Sequence, residues 1–453
     1  MTDRIPFFKS TQTGGVARAF QPRLEEYISV KDFGAKGDGA TDDTAAIQSA
    51  INYANSIGGG AVMFPPALYY TTGTLSLKRN VALCGVGDGP YDTAGPTNPL
   101  TTCCGPTLLV TSTAGPFIDQ PGTGVGCNQI SDLIFGYPSQ VSPTTSPPTV
   151  YPVTIRIKQG ATHVERCLFI NPYDAIAVQT VSGTAPGRVV INNCNIGAIH
   201  TGIIIDGAQD YIGLSNILWE PYYDYAPNLS FPQGVGSLDV WRQTNGVNLQ
   251  CLRCDAIEAV NLMMFGNFSA GIAFDDSSLV TPKTTYGNFS NVDIDMYAGQ
   301  YGINCKSVRV SGGGVHFANL NVGLGTVNGG TVGIWLPAGG SETPLMTVNG
   351  GAIRGTWTTG YTLVAAGTLW VQNVYQLDLP GGAVTTPGFP ASGTPVTNTF
   401  PYTVQICMNG GTVSDVQING SSSGGTRGLL LLKPNQTVTV IYTVAPTWTW
   451  FTA

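Results

Sequence analysis

Ala175-Ile-Ala-Val-Gln179, Gly202-Ile-Ile-Ile-Asp206, Gly246-Val-Asn-Leu-Gln250, Gly271-Ile-Ala-Phe-Asp275, Gly302-Ile-Asn-Cys-Lys306, Gly333-Ile-Trp-Leu-Pro337 and Gly360-Tyr-Thr-Leu-Val364 share one register, at steps of 27, 44, 25, 31, 31 and 27 residues. In each segment the second and fourth residues are apolar or Cys, while the others vary. Period-two alternation is what a strand with one buried face requires. One such strand per step marks a solenoid, whose turns bury their inner face only by stacking on their neighbours. The pattern predicts an all-β chain wound as a parallel β-helix.

The register sorts side chains into columns. Ile176, Ile203, Val247, Ile272, Ile303, Ile334 and Tyr361 are expected to form one inward column, and Val178, Ile205, Leu249, Phe274, Cys305, Leu336 and Leu363 the next. Outward columns then hold Ala177, Ile204, Asn248, Ala273, Asn304, Trp335 and Thr362, and beyond them Gln179, Asp206, Gln250, Asp275, Lys306, Pro337 and Val364. Residues that meet a ligand belong in the outward set.

Composition fits this architecture. Of 453 residues 59 are Gly and only 10% are charged, as suits many turns and stacked polar ladders of Asn, Ser and Thr. Solenoids grow in one dimension, so this length needs no division into ordinary domains. A net charge of −7 with no basic run argues against a nucleic-acid partner. Residues 1–30 carry seven charges and no apolar stretch, unlike an ordinary signal peptide, and no window is apolar enough to insert into a membrane. Ten scattered Cys predict reduced thiols from cytoplasmic synthesis. Cys251-Leu-Arg-Cys254 reads as buried strand and turn rather than as a metal or redox site. No cofactor or metal is implied.

From Ile28 the chain reads ISVKDFGAKGDGATDDTAAIQSAINYANSIGGGAVMFPP. Asp38-Gly39 is a turn pair and Thr41 or Asp42 can N-cap a helix. Ile47, Ala50, Ile51 and Ala54 share one face of that helix, and Gly58-Gly59-Gly60 ends it. Such an amphipathic helix covers the open end of a solenoid, so Asp38, Asp42 and Asp43 are expected to cap and turn. This stretch, to about Thr71, resembles the opening of the pectate-lyase-superfamily β-helix of phage tailspikes, polygalacturonases and some fungal glucanases. The resemblance implies a right-handed, single-stranded helix acting on polysaccharide; it does not fix the reaction. Polygalacturonases carry N-T-D, D-D, G-H-G and R-x-K in succession. Here Asp275-Asp276 supplies a D-D, but His163, His200 and His316 sit in no G-H-G, and Arg156-Ile-Lys158 comes before the D-D. The plant-type pectinase site is therefore absent.

From Pro401 onward alternating strands are separated by the turn pairs Asn409-Gly410 and Asn419-Gly420. The terminal Trp448-Thr-Trp450-Phe451 is expected to leave aromatics exposed on a monomer. It resembles the small β-sandwich that ends many phage tail spikes and joins three chains. Thr385–Thr399, rich in Pro, Gly, Ser and Thr, reads as a linker. The expected organisation is an N-terminal extension at 1–27 that docks on another phage tail protein, a β-helix at 28–398, and a trimerising C-terminal β-sandwich at 399–453.

The long step from Gly202 to Gly246 contains Trp219, Glu220, Tyr222, Tyr223, Asp224, Tyr225, Phe231, Asp239 and Trp241. Loops leaving a rigid coil carry function more often than the coil, and flat aromatics with polar tips suit sugar rings. Hydrolysis of a glycosidic bond needs a protonated and an ionised carboxyl. Asp206 and Asp275 share an outward column with Gln250 between them, which puts their backbones about 9.6 Å apart at about 4.8 Å per strand. Asp276 and Glu220 are further candidate acids. Trp219, Tyr222, Tyr223, Trp241, Trp335 and Gln250 are candidate sugar contacts. Lys306, next to Asp275, keeps a lyase open, and Asp293 and Asp295 read as solvated surface. Together these features predict a homotrimeric phage tailspike, carried on the virion, that hydrolyses a bacterial surface polysaccharide such as capsule or O-antigen. The alternatives are a lyase of the same fold and a non-enzymatic receptor-binding fibre.

Overall fold

The computed structural model describes residues 7–20, 23, 26–86, 100–101, 103, 105–120, 126–140, 147–158, 160–180, 185–220, 237–281, 284–324, 332–336, 341, 343–354, 361–363, 368–372, 376–377, 386–400, 403–424, 428–433 and 435–452. Most of the chain is one continuous sheet of parallel strands in which every third strand pairs. Ile118–Asp119 lies against Ile155–Ile157, which lies against Asp174–Gln179, which lies against the start of Thr201–Trp219. Cys127–Ser131, Ala161–Glu165 and Val189–Asn192 form a second such series, and Ile134–Gly136, Leu168–Ile170 and Asn195–Gly197 a third. Each coil thus contributes three strands around a shared core, as the solenoid reading requires.

The core is built by like stacking on like. Phe135 stacks on Phe169 at 5.1 Å and Phe289 on Phe317 at 4.8 Å. At one corner Asn216, Asn261, Asn291 and Asn319 adopt positive φ between 52° and 59°, a conformation Asn tolerates better than most residues. Their amides bond up the stack at 3.0–3.1 Å. This is the polar ladder expected from the composition.

The helix α1, Thr44–Ser56, buries Ile47, Ala50, Ile51 and Ala54 against the strands Ile28–Ser29, Gly60–Phe64, Leu75–Ser76 and Val81–Gly85, and Gly58 follows it at φ +100°. Its N-terminus differs in detail from the sequence reading. The cap position is Asp43, whose carboxylate turns back to accept the Lys36 and Gly37 amides, while Asp42 accepts the Thr44 amide and hydroxyl. Asp38 accepts two amides and a hydroxyl from Ala40 and Thr41, and these bonds hold its carboxyl down at about 2. All three acids are structural.

The column register needs one correction. Ile176 pairs with Ile203 as expected, but Ile203 pairs with Leu249 and Ile205 with Cys251, and the Asp275 amide donates to the Cys251 carbonyl. The coil that follows the long step is therefore offset by two residues. Leu249, not Val247, continues the Ile176 and Ile203 column, and Gln250 stands over Ile204 rather than between Asp206 and Asp275. The Gly246 carbonyl accepts both the Ser269 and the Ala270 amide of the next coil. Cys251 and Cys254 are both buried in the strand, their thiols pushed up by burial, Cys254 to about 12.

At the C-terminus, four antiparallel strands and three antiparallel strands share a separate core of Val404, Ile406, Val416, Leu432, Val438, Val440, Trp448 and Trp450. Two expectations fail here. The stretch read as a linker is part of this module: Pro395–Thr397 pairs with Thr437–Thr439, and the Pro387 and Pro390 carbonyls accept from Trp448 and Tyr442. Extended Pro-rich backbone has no internal partners and so serves well as an edge. The terminal tryptophans point inward, Trp450 being 1% exposed, and Phe451 alone of the three stays largely exposed. Two positions apart on the strand Thr447–Thr452, Trp448 and Trp450 share one face, and that face is the module's own core.

Candidate functional site

The predicted acids at the C-terminal ends of the strands are held in place by their neighbours. Asp206 is 3% exposed and takes a hydrogen bond from Ser277, whose hydroxyl oxygen in turn accepts the Leu279 and Val280 amides. Burial raises the Asp206 carboxyl above its ordinary value, against the opposing Ser277 bond. Asp275 is ion-paired to Lys306 at 2.8 Å. Asp276 accepts the amide and hydroxyl of Ser341 at 2.7 and 2.9 Å. The Ser277 bond does bring Asp206 to the turn that bears Asp275 and Asp276. It also covers Asp206, so the Asp206–Asp275 pair offers a substrate only one accessible carboxylate.

Among the predicted sugar contacts, Trp219 is 1% exposed in the core and offers no face. Its indole lies against Gly202, where any Cβ would collide with Nε1. Tyr222 and Tyr223 lie outside the described residues. Trp335 stands on the outer face above Asn304, half-buried and stacked on Tyr301 at 4.3 Å with the rings 10° from parallel. Burial raises the Tyr301 hydroxyl, with Lys306 opposing. Tyr301, Trp335, Lys306 and Asp275 therefore form one patch, with an aromatic platform beside an ion pair.

A second group gathers at the corner where the strands of the outer face begin, and sequence reasoning missed most of it. The His200 ring stacks on Tyr173 at 4.6 Å and 19°, and Trp241 lies 6.1 Å from both rings. His200 Nδ1 is 2.7 Å from Asp174 Oδ1, which also accepts the Thr201 amide at 3.0 Å. The His200 side chain is 35% exposed. Trp241 reaches the corner from helix α2, Ser237–Asn245, which lies within the long step. Its return is fixed by the Asn245 amide on the Trp241 carbonyl and the Val247 amide on the His200 carbonyl, both at 2.8 Å. Below, Arg242 and Asn248 are buried together. Glu220, whose amide donates to Ile196, leaves the same corner one coil above Gly197. A signal existed: Asp174 and Thr201 each immediately precede a register segment, and His200 adjoins them.

Burial works to raise Asp119, but bonds and charges from Arg156 and Lys158 outweigh it and hold the carboxyl below its ordinary value. Arg156 and Lys158 are thus both ion-paired to Asp119. Among the described residues no group of three His, Cys, Asp or Glu is placed to hold a metal ion, and no helix is long and apolar enough to cross a membrane.

Residues 27–99 match the family described as rhamnogalacturonase A/epimerase, pectate lyase-like. The chain is 50% identical over 69 residues to mannuronan C5-epimerase AlgE3 of Azotobacter vinelandii, a match covering 14% of this chain and 4% of that protein. It is 54% identical over 44 residues to the capsule-specific depolymerase 1 of Klebsiella phage K5-2, covering 10% and 6%. Among solved structures, a tailspike protein mutant of E. coli bacteriophage HK620 in complex with hexasaccharide aligns over 98% of this chain and 96% of that one, at 12% identity and a TM-score of 0.41. The lidless DFA-IIIase of Arthrobacter chlorophenolicus A6 aligns over 77% and 94%, at 11% identity and a TM-score of 0.49. The opening segment is accordingly of pectate-lyase-like type, similar to that of a phage depolymerase, and the chain spans only a small part of the length of these curated relatives.

Proposed function

We propose that the chain is a phage tailspike that binds a bacterial surface polysaccharide, capsule or O-antigen, along the outer face of a right-handed, single-stranded β-helix and cleaves it internally by hydrolysis. The observation that carries this reading is the Tyr301–Trp335 platform beside Asp275 and Lys306, with a second aromatic corner at Tyr173 and Trp241 on the same face. Asp174, Thr201, Val247, Ala270 and Tyr301 stand on successive coils, so Tyr173 and Tyr301 are separated by roughly four strand spacings, about 19 Å. That span suits several consecutive sugars of a long chain rather than a small glycoside. The similarity to a capsule-specific depolymerase supports the substrate class.

With Asp206 covered, Glu220 is the carboxyl that supplies the proton to the leaving oxygen. The C-terminal module keeps Leu431, Val444 and Phe451 exposed, which supports its use as the contact among three chains. Residues 1–27 would dock on another tail protein, making the trimer a component of the virion.

Incubation with polysaccharides purified from a host panel tests the reading. Discrete oligosaccharides without ultraviolet absorbance from an unsaturated uronate are expected. Products that absorb would make it a lyase, and tight binding without products a receptor-binding fibre. Trp335→Ala is expected to weaken binding about two- to twelvefold, one stacked ring being worth about 0.5–1.5 kcal/mol.

A further inference from the structure

We propose that His200, oriented by Asp174, is the general base of the cleavage, and that Tyr173 and Trp241 form with it the subsite of the sugar under attack. This rests on the polysaccharide-cleaving reading above and names its reacting group. Three stretches far apart in sequence converge here, at residues 173–174, 200–201 and 241. The third arrives only because α2 fills the one overlong step of the ladder.

A carboxylate accepts, so in the hydrogen bond at 2.7 Å to Asp174 Nδ1 donates, and in the neutral ring Nε2 carries the lone pair that takes a proton. Asp174 is itself pinned by the Thr201 amide at 3.0 Å, and the Thr201 hydroxyl lies 3.1 Å from Nδ1. Tyr173 supports one face of the ring. Burial and the neighbouring Asp174 both raise the Tyr173 hydroxyl, so it stays neutral beside the base. Among the described residues, the other charged groups near the corner are Glu220 and Arg242, the latter buried on α2 and turned to Asn248.

In the cleavage step Nε2 takes a proton from water, and the water oxygen forms a bond to the anomeric carbon. The bond from that carbon to the glycosidic oxygen breaks, its electron pair going to the oxygen, which takes a proton from the Glu220 carboxyl. The imidazolium then returns its proton through solvent, and the Glu220 carboxylate is reprotonated. Trp241 and Tyr173 present apolar ring faces to the sugar and exclude bulk water from the base.

The test uses the full chain and measures binding and turnover separately on a polysaccharide that the wild type cleaves. His200→Ala and His200→Gln are expected to lower kcat by about 10²–10⁴-fold, the usual worth of a general base, with binding within about threefold of wild type and the same melting temperature. Added imidazole is expected to restore part of the activity of His200→Ala, which a structural histidine would not allow. Asp174, a positioning residue, should when changed to Asn lower kcat with KM retained and displace the acid limb of the pH–rate profile. Turnover within threefold of wild type in both His200 variants, with polysaccharide still bound and cut, would overturn the proposal and leave the depolymerase reading standing. Failure of the wild type to bind or cut any polysaccharide of the panel would overturn the depolymerase reading itself.

Discussion

Replacing Leu249 by Ala should destabilise the protein by several times more than replacing Val247 by Ala, although both are apolar residues of one strand and sit on the same side of its alternation. Leu249 has no exposed surface and lies in the column of Ile203, whereas Val247 is partly exposed at the corner. Leu→Ala removes three carbons, about 2.4 kcal/mol at about 0.8 kcal/mol per buried methylene, and the cavity left in a stacked core raises this towards about 3–5 kcal/mol. Val→Ala at a half-buried corner removes two carbons that are only partly desolvated, or about 1 kcal/mol. Urea unfolding of both variants and wild type, with midpoint and slope compared, reads the difference directly. A Val247→Ala loss equal to or larger than that of Leu249→Ala would refute the stacking register and, with it, the placement of Gln250 and Asp206.

Asp206 and Asp119 should respond to pH in opposite ways. Asp206 has a folded value raised above the ordinary 3.8, so its contribution is fully present below 3.8 and is lost as pH rises through the folded value. Asp206→Asn should therefore be more stable than wild type at pH 7, with the gain vanishing at acid pH. Asp119 has a folded value below the ordinary one, so its contribution is present above 3.8 and lost as pH falls. Asp119→Asn should be less stable than wild type at pH 7 and converge with it in acid, both pairs being followed by thermal melts across pH. Gly202→Ala should disrupt the corner, because its Cβ would collide with the Trp219 indole and the Asn248 carbonyl. A lower melting temperature together with a changed tryptophan emission is expected.

The stacking of coils was legible because the core demands apolar residues at alternate positions, and seven segments obey that demand. Alternation fixes which face a residue takes, but a slip of two positions leaves the pattern intact. Val247, Leu249 and Cys251 are all apolar at one parity, so the misassignment of Gln250 could not be detected from the pattern. Local charge partners were equally invisible. Asp275 and Lys306 fall in adjacent coils of one column and could be paired from sequence, whereas the Ser277 bond that covers Asp206 depends on the course of a turn. The His200 corner lies just before the strands, where alternation does not apply, and its third aromatic comes from helix α2 within the long step. Trp219 and Trp450 show the reverse difficulty. Aromatics that suit sugar rings suit a core equally well, and only packing separates the two uses.

Co-crystals of the protein with an oligosaccharide released from its own polysaccharide substrate offer the most direct measurement. Sugar rings lying across the outer face, one against Trp335 and another against the Tyr173–Trp241 corner with its anomeric carbon near His200 Nε2, are the predicted result. Sugar bound on the C-terminal module or on another face of the helix, with the outer face empty, would contradict it.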